Sequence, residues 1–97
     1  MAASIKKVGI IGAGQMGNGI AHVVALAGYD VLINDIKKEA VEKAIATIDK
    51  NMTRQVSKGI IMESAKGPAL KRISYASSFE GLGDCDLVIE AATEDEV

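Results

Sequence analysis

The sequence predicts an α/β domain with a doubly wound parallel sheet, of which the 97 residues contain the first four strands. Short β-branched runs alternate with longer segments of helical periodicity, and this alternation is typical of parallel strands joined by right-handed crossovers. The first strand–helix–strand unit is complete within about 30 residues, as is usual for such a unit. The expected order is strand, helix, strand, long helix, broken helix, strand, strand.

The opening elements have the clearest patterns. The run KKVGII, residues 6–11, is almost continuously apolar from Val8 on, as in a strand that is buried on both faces. A helix is predicted over 16–27, where Gly28 ends it. Its apolar residues recur at helical spacing: Ile20, Val23, Val24 and Ala27. A second buried strand is predicted over 29–35.

A long helix is predicted over about 38–58, and Gly59 ends it. Its apolar face is formed by Val41, Ala44, Ile45, Ile48, Met52 and Val56. The next segment, 60–73, reads as a broken short helix, because Pro68 follows a glycine and is well suited to open a new first turn. A weak third strand is expected over 73–78 and a strong fourth strand over 86–92.

The composition excludes several classes of function. The net charge of −2 and the three aromatic residues give no basis for binding nucleic acid or an anionic membrane, and no apolar run is long enough for a membrane span. Cys85 is the single cysteine and has no metal-ligating neighbours at useful spacing, so we expect no metal and a small core residue there. The expected compartment is the cytoplasm, which is reducing.

Three glycines lie between the first predicted strand and helix, in the pattern Gly12-x-Gly14-x-x-Gly17. In a dinucleotide-binding loop the first allows a tight turn, the second lets the backbone approach a pyrophosphate, and the third lets the helix pack closely on the sheet. Gly19 has no place in this motif and is interpreted as a second close-packing point. The predicted phosphate-binding residues are Gly12, Ala13, Gly14, Gln15, Met16 and Gly17.

Asp35 ends the second predicted strand, eighteen residues after Gly17. An acidic residue there accepts hydrogen bonds from the adenosine ribose and repels a 2′-phosphate, which favours NAD over NADP. Lys37 and Lys38 could contact a 2′-phosphate, so this preference stays open. The structural alternative is an ordinary turn with a helix-capping Asp. The coincidence of strand, loop, helix and carboxylate favours a Rossmann-type fold, with residues 1–97 as the N-terminal part of a dinucleotide-binding domain.

Basic residues cluster on one side of the long helix, opposite its apolar face: Lys43, Lys50, Arg54 and Lys58. Such a row is most often a solvated face. A polyphosphate ligand is the functional alternative.

With these features in place, the sequence resembles the N-terminal NAD-binding domain of the 3-hydroxyacyl-CoA dehydrogenase family, and within it the short bacterial 3-hydroxybutyryl-CoA enzymes. The resemblance is carried by the segments KKVGIIGAGQMGNGIAHVVALAGYDVLINDI, IATIDKNMTRQVSKG and DLVIEAATE. It implies an NAD-dependent oxidoreductase that interconverts 3-hydroxyacyl-CoA and 3-oxoacyl-CoA by hydride transfer in fatty-acid or butanoate metabolism.

The resemblance also implies roles for individual residues. Ala92 and Glu94 match positions that lie along the cofactor near its nicotinamide half. Lys58 and Asn51 match positions that contact CoA, and Arg54 on the basic face completes the predicted CoA set.

The resemblance implies that the catalytic residues of the family lie beyond Val97, so no catalytic residue is expected in this chain. His22, the only histidine, is expected to pack within the first helix. The chain is therefore interpreted as a fragment that is inactive alone. Its start, MAAS, suggests that the parent is a stand-alone enzyme, and the family implies a homodimer or higher homo-oligomer.

Two other functions stay open. A β-hydroxyacid dehydrogenase of the 6-phosphogluconate type shares the GxGxMG pattern, although such enzymes usually favour NADP and carry a pair such as Asn-Arg where this chain has Asn34-Asp35. A non-catalytic NAD(H)-sensing module needs only the loop and the carboxylate.

Overall fold

The computed structural model, which describes residues 5–76 and 79–91, contains a four-stranded sheet in which all neighbouring strands are parallel. The strands are β1 (Lys7–Ile11), β2 (Asp30–Asn34), β3 (Ile73–Ala76) and β4 (Leu87–Glu90), in the spatial order β3-β2-β1-β4. This order confirms the doubly wound parallel arrangement. β1 lies inside the sheet, so the loop that follows it opens between two neighbouring strand ends.

Three α-helices cover one face of the sheet: α1 (Gln15–Leu26), α2 (Lys38–Ser57) and α3 (Glu63–Lys71). The main core lies between them and the sheet, where Ile10 and Ile33 of the strands and Ile48 and Met52 of α2 are fully buried. The long helix thus begins and ends within a residue of its predicted bounds. None of the helices in the described residues has the length and apolar character that a membrane crossing needs.

The opposite face of the sheet carries a smaller core under a 3-10 helix, Phe79–Asp84, which the sequence patterns do not predict. Leu32, Ala76 and Leu82 are buried there and Cys85 packs against them. A Cβ on Gly9 of β1 would lie 2.7 Å from Leu82 Cδ2 and 2.9 Å from Cys85 Sγ, so glycine is needed for this close approach. Cys85 is therefore a packing residue, as expected, and burial raises the pKa of its thiol.

The packing of α1 differs from the prediction. The residues buried on α1 are Gly17, Ala21 and Ala25, whereas Val23 is 67% exposed. A Cβ at Gly19 would meet nothing within 4 Å, so its interpretation as a close-packing point is wrong. The helix approaches the sheet closely through its smallest side chains, and its larger apolar residues stand beside that contact.

The segment before β3 also differs. A single helix, α3, runs through Gly67 and Pro68 where a broken helix was expected. Pro68 is the sixth residue of α3 and lacks an N–H, so it removes the bond to the carbonyl of Ser64. Packing on the main core holds α3 as one helix all the same, because Ala69 is fully buried there and Leu70 packs beside it.

Candidate dinucleotide-binding site

The loop between β1 and α1 makes the tight turn that the glycine pattern predicts. Gly12 has φ of +105°, a conformation that side chains rarely allow, and its N–H donates to the carbonyl of Asn34 over 2.7 Å. A Cβ at Gly17 would overlap the carbonyl oxygen of Gly12, so the first turn of α1 packs directly on the loop. Two of the three glycines thus have the structural positions that a phosphate-binding loop requires.

The N-terminus of α1 is open for an anion. Its N-cap residue is Gly14, which has no side chain to cap the helix, and its first turn contains no acidic residue. The helix dipole places partial positive charge at this end, which favours a phosphate group. A side-chain cap such as Ser or Asp would have competed for the same N–H groups.

Asp35 lies directly beyond β2 and faces this loop. Its carboxylate accepts hydrogen bonds from the backbone N–H of Ala13 through Oδ2 and of Lys37 through Oδ1, both over 3.0 Å. An ionised carboxylate has about four acceptor positions, so two bonds leave room for the two hydroxyls of a ribose. The carboxylate is half-buried, and these two bonds fix its position.

A cavity of about 550 Å³ joins these features. Predicted cofactor residues that line it are Gly12, Ala13, Gly14, Gln15 and Asp35. Gly17 lies beneath the loop and acts through packing, and Met16 lies outside the lining. Ala92 and Glu94 lie outside the described residues, although their neighbour Ala91 lines the cavity.

Several residues that line this cavity have no ligand contact predicted from the sequence. They are Asn18 of α1, Ile36 after β2, Ala91 after β4, and Ala40, Ala44 and Thr47 of α2. Ile36 is 90% exposed and provides an apolar rim beside Asp35. The α2 residues could be predicted from the sequence, because small side chains recur there at i, i+4 and i+7, next to the basic residues.

The predicted CoA residues do not line the cavity but continue the same face of α2. Steps of three or four residues lead from Ala40 through Ala44, Thr47, Asn51 and Arg54 to Lys58, and residues so spaced share one side of a helix. We call these six residues the 40–58 stripe. Arg54 and Lys58 are exposed. The only ion pair within the described residues joins Lys66 to Asp49 over 2.8 Å, so both cations lack a carboxylate partner there.

His22 faces α2 and not the cavity. Its Nε2 lies 2.7 Å from Oε1 of Gln55, and the ring is partly buried between the two helices. This contact supports the expected packing role and ties the C-terminal half of α2 to α1.

A tight glycine turn, an uncapped helix N-terminus and a fixed carboxylate around one cavity define a dinucleotide-binding α/β domain. Residues 7–97 match the family described as "3-hydroxyacyl-CoA dehydrogenase, NAD binding domain", and the chain belongs to this family. The match confirms NAD as the cofactor, and the residues around the cavity fit it.

Similar proteins agree with this family. The chain is 59% identical over 96 residues to the 3-hydroxybutyryl-CoA dehydrogenase of Bradyrhizobium diazoefficiens, covering 99% of the chain and 33% of that protein. Identity to the enzyme of the same name from Clostridioides difficile is 40%, covering 92% and 32%. The crystal structure of (S)-3-hydroxybutyryl-CoA dehydrogenase from Ralstonia eutropha superposes with a TM-score of 0.89 at 45% identity, covering 96% and 33%. The chain thus spans about a third of the length of these relatives.

Proposed function

We propose that this chain is the cofactor-binding part of an NAD-dependent 3-hydroxyacyl-CoA dehydrogenase whose substrate is 3-hydroxybutyryl-CoA. The observation that carries the proposal is the cavity between the uncapped end of α1 and the Asp35 carboxylate, in a chain of this family. The names of the relatives support the choice of the butyryl substrate.

Within this function, the loop from Gly12 to Gly17 holds the pyrophosphate and Asp35 accepts the ribose hydroxyls. The support for the first role is the open helix N-terminus, and for the second the unused acceptor positions of the carboxylate. Ala92 and Glu94 are proposed to lie along the nicotinamide half, next to the cavity-lining Ala91.

The 40–58 stripe is proposed to hold the CoA part of the substrate. Its first half lines the dinucleotide cavity, and its second half presents Asn51, Arg54 and Lys58. From Thr47 to Lys58 the helix rises about 16 Å, a length over which the extended phosphate-bearing part of CoA could lie. Arg54 and Lys58 have no carboxylate partner among residues 5–76 and 79–91, and their charge is opposite to that of the CoA phosphates.

NAD, when bound, accepts the hydride from carbon 3 of the hydroxyacyl group. The chain contributes binding and orientation, and the group that takes the hydroxyl proton is proposed to lie in the rest of the protein, because His22 is engaged with Gln55. The whole enzyme is proposed to be a cytoplasmic homodimer or higher homo-oligomer.

The proposal is tested with the full-length protein and acetoacetyl-CoA, by following NADH oxidation. We expect turnover with NADH that exceeds turnover with NADPH, and none with free acetoacetate, which lacks the CoA group. Oxidation of 6-phosphogluconate with NADP in place of this activity, or NADH binding without turnover of any 3-oxoacyl-CoA, would contradict it.

A further inference from the structure

Asn34, the last residue of β2, is the one buried polar residue in the described part of the chain, with 5% of its surface exposed. Its backbone carbonyl accepts the 2.7 Å hydrogen bond from Gly12 N–H at the start of the phosphate loop. Its side-chain Nδ2 donates to the carbonyl of Ala76, the last residue of β3, over 3.0 Å. One residue therefore connects three strand ends at the cavity's edge.

Packing alone does not explain an amide at this position. Side chains alternate along a strand, so Asn34 lies on the same face of β2 as Leu32, which is buried in the smaller core. An apolar side chain would continue that core, whereas a buried amide is costly unless its hydrogen bonds are made. The bond from Asn34 to Ala76 fixes the distance between the ends of β2 and β3.

Asp35 follows this fixed peptide directly. Its carboxylate is bonded to Ala13 in the phosphate loop and to Lys37 before α2. Its carbonyl also accepts a longer bond of 3.3 Å from the hydroxyl of Tyr75 in β3. A shift of the Asn34 peptide would therefore move both the turn at Gly12 and the carboxylate of Asp35.

We propose that Asn34 is a positioning residue for the NAD site, which through its bond to the Ala76 carbonyl sets the place of the Asp35 carboxylate relative to the phosphate loop. Since Asp35 is the group that distinguishes a ribose from a ribose 2′-phosphate, Asn34 controls the preference for NADH over NADPH. This inference rests on the ribose role of Asp35 proposed above.

The test uses the full-length protein and fluorescence titrations with NADH and NADPH. Asn34→Leu keeps the approximate size and loses the donor, and Asn34→Ser shortens the side chain so that it no longer reaches Ala76 directly. Both variants are expected to bind NADH about fivefold more weakly, as when one hydrogen bond is weakened, with a smaller loss for NADPH. The NADH-to-NADPH affinity ratio therefore falls.

Leu32→Val is the matched control, because it alters the same face of the same strand without touching the site. It should lower the unfolding temperature and leave the affinity ratio unchanged. Hydrogen exchange of the segment around Gly12 and Ala13 gives a second readout on folded protein, and should be faster in both Asn34 variants than in Leu32→Val.

Two results would overturn the inference. If folded Asn34 variants keep the wild-type ratio and exchange rate while Asp35→Ala changes the ratio, Asn34 has only a structural role. If Asp35→Ala also leaves the ratio unchanged, the ribose assignment itself fails and the role of Asn34 falls with it.

Discussion

The carboxylate of Asp35 both organises the backbone around the cavity and lines the cavity itself. Its bonds to Ala13 and Lys37 join the phosphate loop to the start of α2. If a ribose binds this carboxylate as proposed, it meets an acceptor whose two oxygens are held by backbone N–H groups, so little ordering entropy should be lost on binding. Removing Asp35 should accordingly reduce the free energy of NADH binding by more than removing an exposed charge would.

We predict that Asp35→Ala in the full-length protein weakens NADH binding by about 1–3 kcal/mol, the range for a lost charged hydrogen-bond partner. NADPH should lose less, because the 2′-phosphate is no longer repelled. Titration with both cofactors measures this. Asp30→Ala, at the opposite end of β2, is the control and should bind both as the wild type does. An equal loss for NADH and NADPH would refute the ribose role.

Asp86 provides a pH-dependent contribution to stability at the other end of the sheet. The backbone N–H groups of Lys6 and Lys7 donate to its Oδ2 over 2.8 and 3.0 Å, and these bonds hold the pKa of the carboxyl below its ordinary value of 3.8. A lowered pKa in the folded state means that the ionised form stabilises the fold. This stabilisation is complete above the ordinary pKa and is lost as the pH falls through the lowered one.

Asp86→Asn should therefore lower the unfolding temperature at pH 6. The difference from the wild type should begin to shrink as the pH falls below about 4, and should shrink further through the lowered pKa of the folded state, where the wild-type carboxyl takes up a proton too. Thermal unfolding followed between pH 2.5 and 7, about the ordinary carboxyl range, measures it. Asp84→Asn, an exposed neighbour, should change little. A difference that persists unchanged at the lowest pH would show that the hydrogen bonds do not depend on ionisation.

The glycines show what a residue pattern reveals at this scale. Gly12 and Gly17 belong to a motif whose spacing has a geometric meaning, and the structure places them accordingly. Gly19 lies outside this motif. Whether its position needs a glycine depends on which residue packs against it, and the sequence does not identify that residue. The same holds for Asn34, whose partner at Ala76 lies forty-two residues away.

At the scale of elements, α2 connects the two proposed ligand regions. The hydrogen bond between His22 and Gln55 and the buried residues Ile48 and Met52 fix the half of the helix that carries the predicted CoA contacts. Because that half is held against α1, its outward cations have a defined position relative to the phosphate loop. Their removal should therefore affect the binding of the acyl-CoA and not that of NADH.

We predict that Lys58→Ala in the full-length protein raises KM for acetoacetyl-CoA a few-fold and leaves KM for NADH unchanged. An exposed charge contact contributes about 0.2–1 kcal/mol, which limits the effect to this size. Steady-state kinetics at two salt concentrations measure it, because screening should reduce the difference. Lys71→Ala, an exposed lysine on α3, serves as control. An unaltered KM for the acyl-CoA at low salt would mean that the basic row is a solvated face.

Sequence patterns predict the elements whose signals are local. The strands β1 and β2 and the helix α2 have continuous or periodic apolar residues, and their predicted bounds lie within one residue of the structure at each end. Pro68 is a strong local signal and predicts a broken helix, whereas α3 is continuous because it packs on the main core through Ala69 and Leu70, which no local pattern shows. The 3-10 helix is set by contacts with Gly9 and Leu32, which no local pattern shows.

Across the whole molecule, the sheet has its clearest unpaired edge at β4. Within the described residues this strand pairs only with β1, and Leu87 and Val88 are each 43% exposed. Consecutive residues of a strand point to opposite faces, so both faces of the sheet are incompletely covered here.

An exposed apolar edge strand favours association with other chains. We predict that residues 1–97 expressed alone self-associate, bind NADH more weakly than the full-length protein, and show no 3-hydroxyacyl-CoA oxidation. Sedimentation over a range of concentrations measures the association. Val88→Lys should reduce it, because a charged side chain at an edge opposes strand pairing, whereas Val23→Lys on the exposed side of α1 should not.

The expected lack of turnover by the isolated 97 residues follows from the absence of a suitably placed base among the residues that the structure describes. A dehydrogenase needs a base positioned at the substrate hydroxyl, and His22, the only histidine of the 97 residues, is held by Gln55 between two helices. The isolated chain would thus bind the adenosine half of NADH without assembling a reaction centre. Turnover above background by the purified 97 residues, retained in His22→Gln, would reveal a base elsewhere in this chain and would contradict the assignment of catalysis to the rest of the protein.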